Sequence, residues 1–241
     1  MPPQSATPLE RDRVLLCLAA PREPSPAGLA LLSGDEAARA ARFHFTADRH
    51  RFQSTRILLR RLLSAHCGSH APADWRFVLQ AGGRPELAPG QTASPVHFNV
   101  SHARSTIACI LSGNPLCGVD VEDRVPDDFR MLVDRFFAQD ERAWIAQAVT
   151  ASEARQRFLT VWTLKEAWLK ARGTGLATDL RDFSILPSGV GRYELSTGPA
   201  LEAEPSAWHF HHATLPDGAH LAIAMRQRDG LWLKAVTPPV G

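Results

Sequence analysis

The chain has 241 residues, 44% of them hydrophobic and 22% charged, which fits a folded globular protein and excludes a disordered one. A net charge of +2 is too small to drive binding to nucleic acid or a membrane surface, and no run reaches the roughly 18 apolar residues of a membrane span. The four cysteines, Cys17, Cys67, Cys109 and Cys117, form no CxxC pair or zinc-ligand spacing, and the start does not resemble a secretion signal, so we expect reduced, buried thiols in a cytoplasmic protein.

In chain order, Val14 to Ala20 predicts a strand, followed by a loop through Pro21, Pro24 and Pro26. A helical pattern runs from about Asp35 to His66, with Thr46 placed as an N-cap and Phe52, Ile57, Leu58, Leu59, Leu62 and Leu63 as its apolar face. Strands are expected at Trp75 to Leu79, Val96 to Val100, Thr106 to Leu111 and Cys117 to Glu122. Helices then recur at Phe129 to Phe137, Gln139 to Val149 and Ser152 to Arg172, followed by strands at Phe183 to Leu186, Trp208 to Thr214, His220 to Arg226 and Leu231 to Val236. Helices then strands, twice over, predicts an α+β fold of two similar halves, 1–117 and 118–241.

Three segments carry chemistry. In Gly118-Val119-Asp120-Val121-Glu122 the two acids are separated by two positions on a strand, so both project from one face, where they repel unless a cation lies between them. Oxygen donors of this kind suit Mg²⁺. In the helix ending at Gly173, Lys165 falls within the apolar arc of Phe158, Val161, Trp162 and Leu169, with Glu166 and Lys170 at its margin. Only Lys165, Lys170 and Lys234 are lysine among 27 basic residues, and two of the three lie in this helix. The strand end Ser101-His102 suits a phosphate or ribose better than nucleophilic catalysis, because adjacent residues on an extended chain face opposite ways. Arg49, Arg51 and Arg56 on the first long helix, and Arg84 on the turn Gly82-Gly83-Arg84, add guanidinium groups matched to phosphate oxygens.

The ordered set Gly83-Arg-Pro, Phe98-Asn-Val-Ser-His, Gly118-Val-Asp-Val-Glu, Arg135-Phe-Phe and Trp162-Thr-Leu-Lys-Glu-Ala-Trp-Leu-Lys resembles the 4′-phosphopantetheinyl transferases of the surfactin-synthetase-activating type. The resemblance implies a monomeric pseudo-dimer with the active site in the cleft between its halves. It also implies transfer of the 4′-phosphopantetheine moiety of coenzyme A to a serine of an apo acyl or peptidyl carrier protein. Carried over by position, Asp120, Glu122 and Glu166 would hold Mg²⁺, with Mn²⁺ as the alternative ion. Lys170 would contact the phosphates. Arg84, Ser101, His102, Arg51 and Arg56 would hold the nucleotide end of coenzyme A, and Lys165 is grouped with these coenzyme contacts. The base that deprotonates the serine would be Glu141, Glu166 or a water on the metal. The first half would then bind the nucleotide and the second carry the metal ligands and catalytic helix, with neither nucleic acid nor membrane as partner. The rival readings are a Mg²⁺-dependent phosphohydrolase of coenzyme A and a non-catalytic carrier-binding module.

Overall fold

The computed structural model describes residues 9–68, 70–80, 83–228 and 230–239, without the side chain of Leu176. Gly82 of the expected turn lies outside the described residues. The chain divides into two compact units, Met1–Pro115 with Trp232–Gly241, and Leu116–Leu231.

The first unit runs β1 (Arg13–Ala19), α1 (Pro26–Leu29), α2 (Gly34–Ala41), α3 (Thr46–Cys67), β2 (Phe77–Leu79), β3 (Pro85–Leu87), β4 (His97–His102) and β5 (Ile107–Ser112). The second runs β6 (Cys117–Glu122), α4 (Phe129–Phe136), α5 (Gln139–Ala146), α6 (Ala151–Arg172), β7 (Phe183–Gly189), β8 (Arg192–Thr197), β9 (Trp208–Thr214) and β10 (His220–Arg226). The last strand, β11 (Trp232–Val236), returns to the first unit and pairs in parallel with β1. The helical stretch expected from Asp35 to His66 is two helices. Ser33 caps α2 by accepting from Glu36 N, whereas Thr46 is the first residue of α3 and not its cap; Phe45 occupies the cap position without a side-chain hydrogen bond.

The two units share one plan. Strand order is β1-β5-β4 in the first, with β11 added on the outside of β1, and β6-β10-β9 in the second, and each has a small hairpin, β2–β3 or β7–β8. The helices repeat at a constant shift of 105 residues, Gly34–Ala41 to Gln139–Ala146 and Thr46–Cys67 to Ala151–Arg172. Both 22-residue helices end on a left-handed glycine, Gly68 at φ 65° and Gly173 at φ 69°, where a β-carbon would be strained. The expected α+β fold of two similar halves is therefore present.

Each long helix covers one face of its own sheet. On α3, Leu59, Leu62 and Leu63 are fully buried and pack with Leu15, Cys17, Phe98, Ile107 and Cys109, each leucine contributing about 1.5–3 kcal/mol. On α6, Leu164, Ala167, Trp168 and Ala171 pack with Phe183, Trp208, Phe210, Ala222 and Ala224.

Candidate active site

The acidic pair on β6 faces α6. Asp120 is 2% exposed, and its Oδ1 accepts a 2.6 Å hydrogen bond from Lys170 Nζ. Glycine at position 118 makes this approach possible. A β-carbon there would lie 2.2 Å from Ala167 O and 2.4 Å from Ala171 N, so strand and helix backbones touch where the site begins. Burial pushes the Glu122 carboxyl up to about 7, reinforced by the negative charges of Asp120 and Glu166 and partly offset by Lys170. Burial and Asp120 raise Glu166 likewise. The structure thus gathers Asp120, Glu122, Glu166 and Lys170 into one electrostatic cluster, with three carboxylates against one ammonium. Oxygen donors with excess negative charge fit a hard divalent cation. Among the described residues, no three His, Cys, Asp or Glu side chains stand ready as a metal-ligand group, and an ammonium already meets Asp120.

Lys165 and Glu141, expected as contacts of the coenzyme and the serine, lie together in the interior of the second unit. Lys165 is 1% exposed and Glu141 is fully buried. Lys165 Nζ donates to both Glu141 oxygens, at 2.7 and 2.6 Å, and to Phe183 O at 2.6 Å. Glu141 also accepts from Ile185 N and Ala138 N, at 2.9 and 3.0 Å. A carboxylate with both oxygens engaged and no exposed surface is not placed to take a proton from a protein-borne serine, and an ammonium so enclosed is not placed to meet a phosphate.

In the first unit, β4 turns Ser101 inward and His102 outward, as strand alternation requires. Arg84 directly precedes β3, follows Gly83 at φ 77°, and lies close enough to His97 to help hold that ring neutral, burial being the larger cause. Arg51 donates to Asp48 at 2.9 Å, while its buried Nε has no hydrogen-bond partner. Arg56, expected near a phosphate, is 9% exposed, its Nε donates to Glu36 Oε1, and its guanidinium stacks 4.1 Å over Phe77. Arg60, which sequence reasoning passed over, is 1% exposed and donates to Glu36 and to the carbonyls of Pro72, Ala73 and Trp75. Ser33-x-x-Glu36, a capping-box spelling, was the one local signal for this cluster.

A second cluster missed in the sequence borders the acids. His220 pairs with Glu122 in the β10–β6 register. Its Nε2 meets Gln156 Oε1 on α6 at 2.6 Å, its Nδ1 meets His212 Nε2 at 3.1 Å, and His212 Nδ1 meets Tyr193 OH at 3.3 Å. Because the Gln156 oxygen can only accept, donation runs from Tyr193 through His212 and His220 to Gln156, with both rings neutral. Burial pushes each of the two imidazoles down to about 4, and His220 adds to the effect on His212.

Comparison with known proteins identifies the family. Residues 116–224 match the family model of the 4′-phosphopantetheinyl transferase superfamily, and residues 23–114 match that of the 4′-phosphopantetheinyl transferase N-terminal region. The chain is 34% identical over 172 residues to the 4′-phosphopantetheinyl transferase HetI of Nostoc sp., covering 71% of each. It is 28% identical over 157 residues to the 4′-phosphopantetheinyl transferase Sfp of Bacillus subtilis, covering 65% of this chain and 67% of that one. It is 27% identical over 210 residues to the L-aminoadipate-semialdehyde dehydrogenase-phosphopantetheinyl transferase of Xenopus laevis, covering 82% and 69%. The chain therefore belongs to the 4′-phosphopantetheinyl transferase superfamily, and the reaction it catalyses is 4′-phosphopantetheinyl transfer.

Proposed function

We propose that the protein moves 4′-phosphopantetheine from coenzyme A to a serine hydroxyl of an apo acyl or peptidyl carrier domain, with Mg²⁺ or Mn²⁺ held by Asp120, Glu122 and Glu166. The observation that carries this reading is the cluster of three partly or fully buried carboxylates around Lys170, which folding alone does not require. In the reaction the serine oxygen forms a bond to the β-phosphorus, the pyrophosphate P–O bond breaks, and 3′,5′-ADP departs. The ion, when bound, supplies neutralisation of the pyrophosphate charge.

The remaining roles fall to the chain's own groups. Lys170, 31% exposed at its side chain, is the cation beside the acids that can turn toward a phosphate. Of the two carboxylates considered as base, Glu141 is fully engaged, which leaves the Glu166 carboxylate to receive the serine proton. Arg84, Ser101, His102 and Arg51 in 1–117 are assigned to the nucleotide end of coenzyme A, and the metal ligands and α6 to 118–241. The reading takes the protein as a cytoplasmic monomer needing neither membrane nor nucleic acid; no helix among the described residues is long and apolar enough to cross a membrane.

Release of 3′,5′-ADP, followed with coenzyme A and Mg²⁺ in the presence and absence of apo-carrier, tests the acceptor. Release only when apo-carrier is added supports transfer to serine. Steady release without carrier supports the phosphohydrolase, and no release under either condition supports the carrier-binding module.

A further inference from the structure

The second unit buries an ion pair that the chemistry above does not use, and the first unit contains its counterpart. Glu141 is the third residue of α5 and Glu36 the third residue of α2. Each accepts a 3.0 Å hydrogen bond from the backbone N–H that precedes its helix, Ala138 N or Ser33 N. Each meets a cation 24 residues further on, itself 1% exposed: Lys165 at 2.6 Å and Arg60 at 2.8 Å. Each cation also donates to main-chain carbonyls after its long helix, Phe183 O at 2.6 Å or Trp75 O at 2.9 Å. Each lies against the phenylalanine that opens its hairpin, Phe183 at 4.1 Å or Phe77 at 5.2 Å.

The catalytic acids do not recur in this way. Carried through the same shift of 105 residues, Asp120, Glu122 and Glu166 fall on Leu15, Cys17 and Arg61. The glutamate–cation pair is thus kept in a half with no acidic cluster to serve, where a proton acceptor would have nothing to do. We infer that Glu141 and Lys165 are positioning residues, a lock that fixes the rotation of α6 and so aims its neighbours Glu166 and Lys170, and that Glu141 is not the base of the reaction. The inference rests on the assignment of Glu166 and Lys170 to the site. Lys165 directly precedes Glu166, so a turn of the helix about its axis that would release the lock would also carry Glu166 away from β6.

A lock can be replaced by another of the same shape, whereas a base cannot. Removing one member of a buried pair leaves the other uncompensated, while replacing both by neutral groups of similar volume is commonly tolerated. The experiment compares full-length wild type, Glu141→Gln, the double variant Glu141→Gln/Lys165→Met, Lys165→Arg and Glu166→Gln. Each is assayed by carrier-dependent 3′,5′-ADP release, with near-ultraviolet circular dichroism as the check on folding. Glu141→Gln alone should lose at least a hundredfold in kcat, and the double variant should return to within about tenfold of wild type, a rescue that loss of a base would not allow. Lys165→Arg, which installs the cation of the first half, should keep kcat within the same range. Either of these two variants folded but as inactive as Glu166→Gln would overturn the lock. Full activity in Glu166→Gln would instead overturn the site assignment, a result separable from the rescue.

Discussion

In the first half, the strand beneath the long helix presents Leu15 and Cys17 to it; in the second half, the strand in the same place presents Asp120 and Glu122. The helix positions follow suit, with Arg61 and Ala65 at the places that Glu166 and Lys170 hold. Across the sheet, Cys17 pairs with Cys109 where Glu122 pairs with His220. The first half shows what this architecture needs in order to fold: apolar contact between strand and helix, a glutamate–cation lock, and a glycine to end the helix. The second half keeps the lock, the glycine and apolar packing of helix on sheet, and sets repelling acids, bordered by a histidine chain, at the places where the first half has Leu15 and Cys17. Stability gives no reason for that replacement, and the proposed function puts the chemistry where the halves differ.

The largest expected effect breaks the feature that the halves have in common. Glu141→Leu should strand Lys165, and Glu36→Leu should strand Arg60 with Arg56, each at a cost of about 3–5 kcal/mol in urea unfolding. A loss in one half and none in the other would end the equivalence of the two locks.

The next effect should come from the second half alone. Burial pushes His212 and His220 down to about 4 in the folded chain from an ordinary value of 6.5, so between those values the unfolded chain binds more protons. Their contribution is therefore complete above pH 6.5 and lost as pH falls toward 4, on the order of 3 kcal/mol for each ring taken alone. Denaturant midpoints measured from pH 7 to pH 4 should fall in wild type and flatten in His212→Phe/His220→Phe. The same fall in that variant would place the acid sensitivity elsewhere.

Gly118→Ala should cost about 1–3 kcal/mol, because the added carbon meets backbone and not a movable side chain, and it should also separate Asp120 from Lys170 and lower kcat. Unchanged activity and melting temperature would show that strand and helix can part without harm to the site. The smallest stability effect belongs to Glu122→Gln. Removing one of three repelling carboxylates should leave the metal-free protein at least as stable as wild type while abolishing transfer, and a clear drop in melting temperature would mean that the acids serve the fold after all.

Much of this was legible before the structure. Element order announced the two halves, and strand alternation placed Asp120 and Glu122 on one face without any tertiary knowledge. Lys165 within an apolar arc was recognised as anomalous, but its partner lies 24 residues earlier on another helix, and no local pattern connects them. The pairing of Arg56 with Glu36 is hidden for the same reason. A surface cation and one paired with a glutamate 20 residues away are spelled identically, and only packing separates them. The histidine chain joins β8, β9, β10 and α6, so its members acquire a common function only when sheet and helix have assembled. The shift that relates α2 and α3 to α5 and α6 is constant, yet lock residues of different type, arginine in one half and lysine in the other, conceal it in the letters.

The central claim, that transfer depends on the acids by which the second half departs from the first, is tested most directly by Asp120→Leu, which installs the residue of the first half at the corresponding place. Intact mass of an apo-carrier should be read after incubation with coenzyme A, Mg²⁺ and either wild type or variant. The expected result is one phosphopantetheine per carrier domain with wild type and unmodified carrier with a variant that melts no lower than wild type. Carrier modified at the wild-type rate by Asp120→Leu would contradict the account.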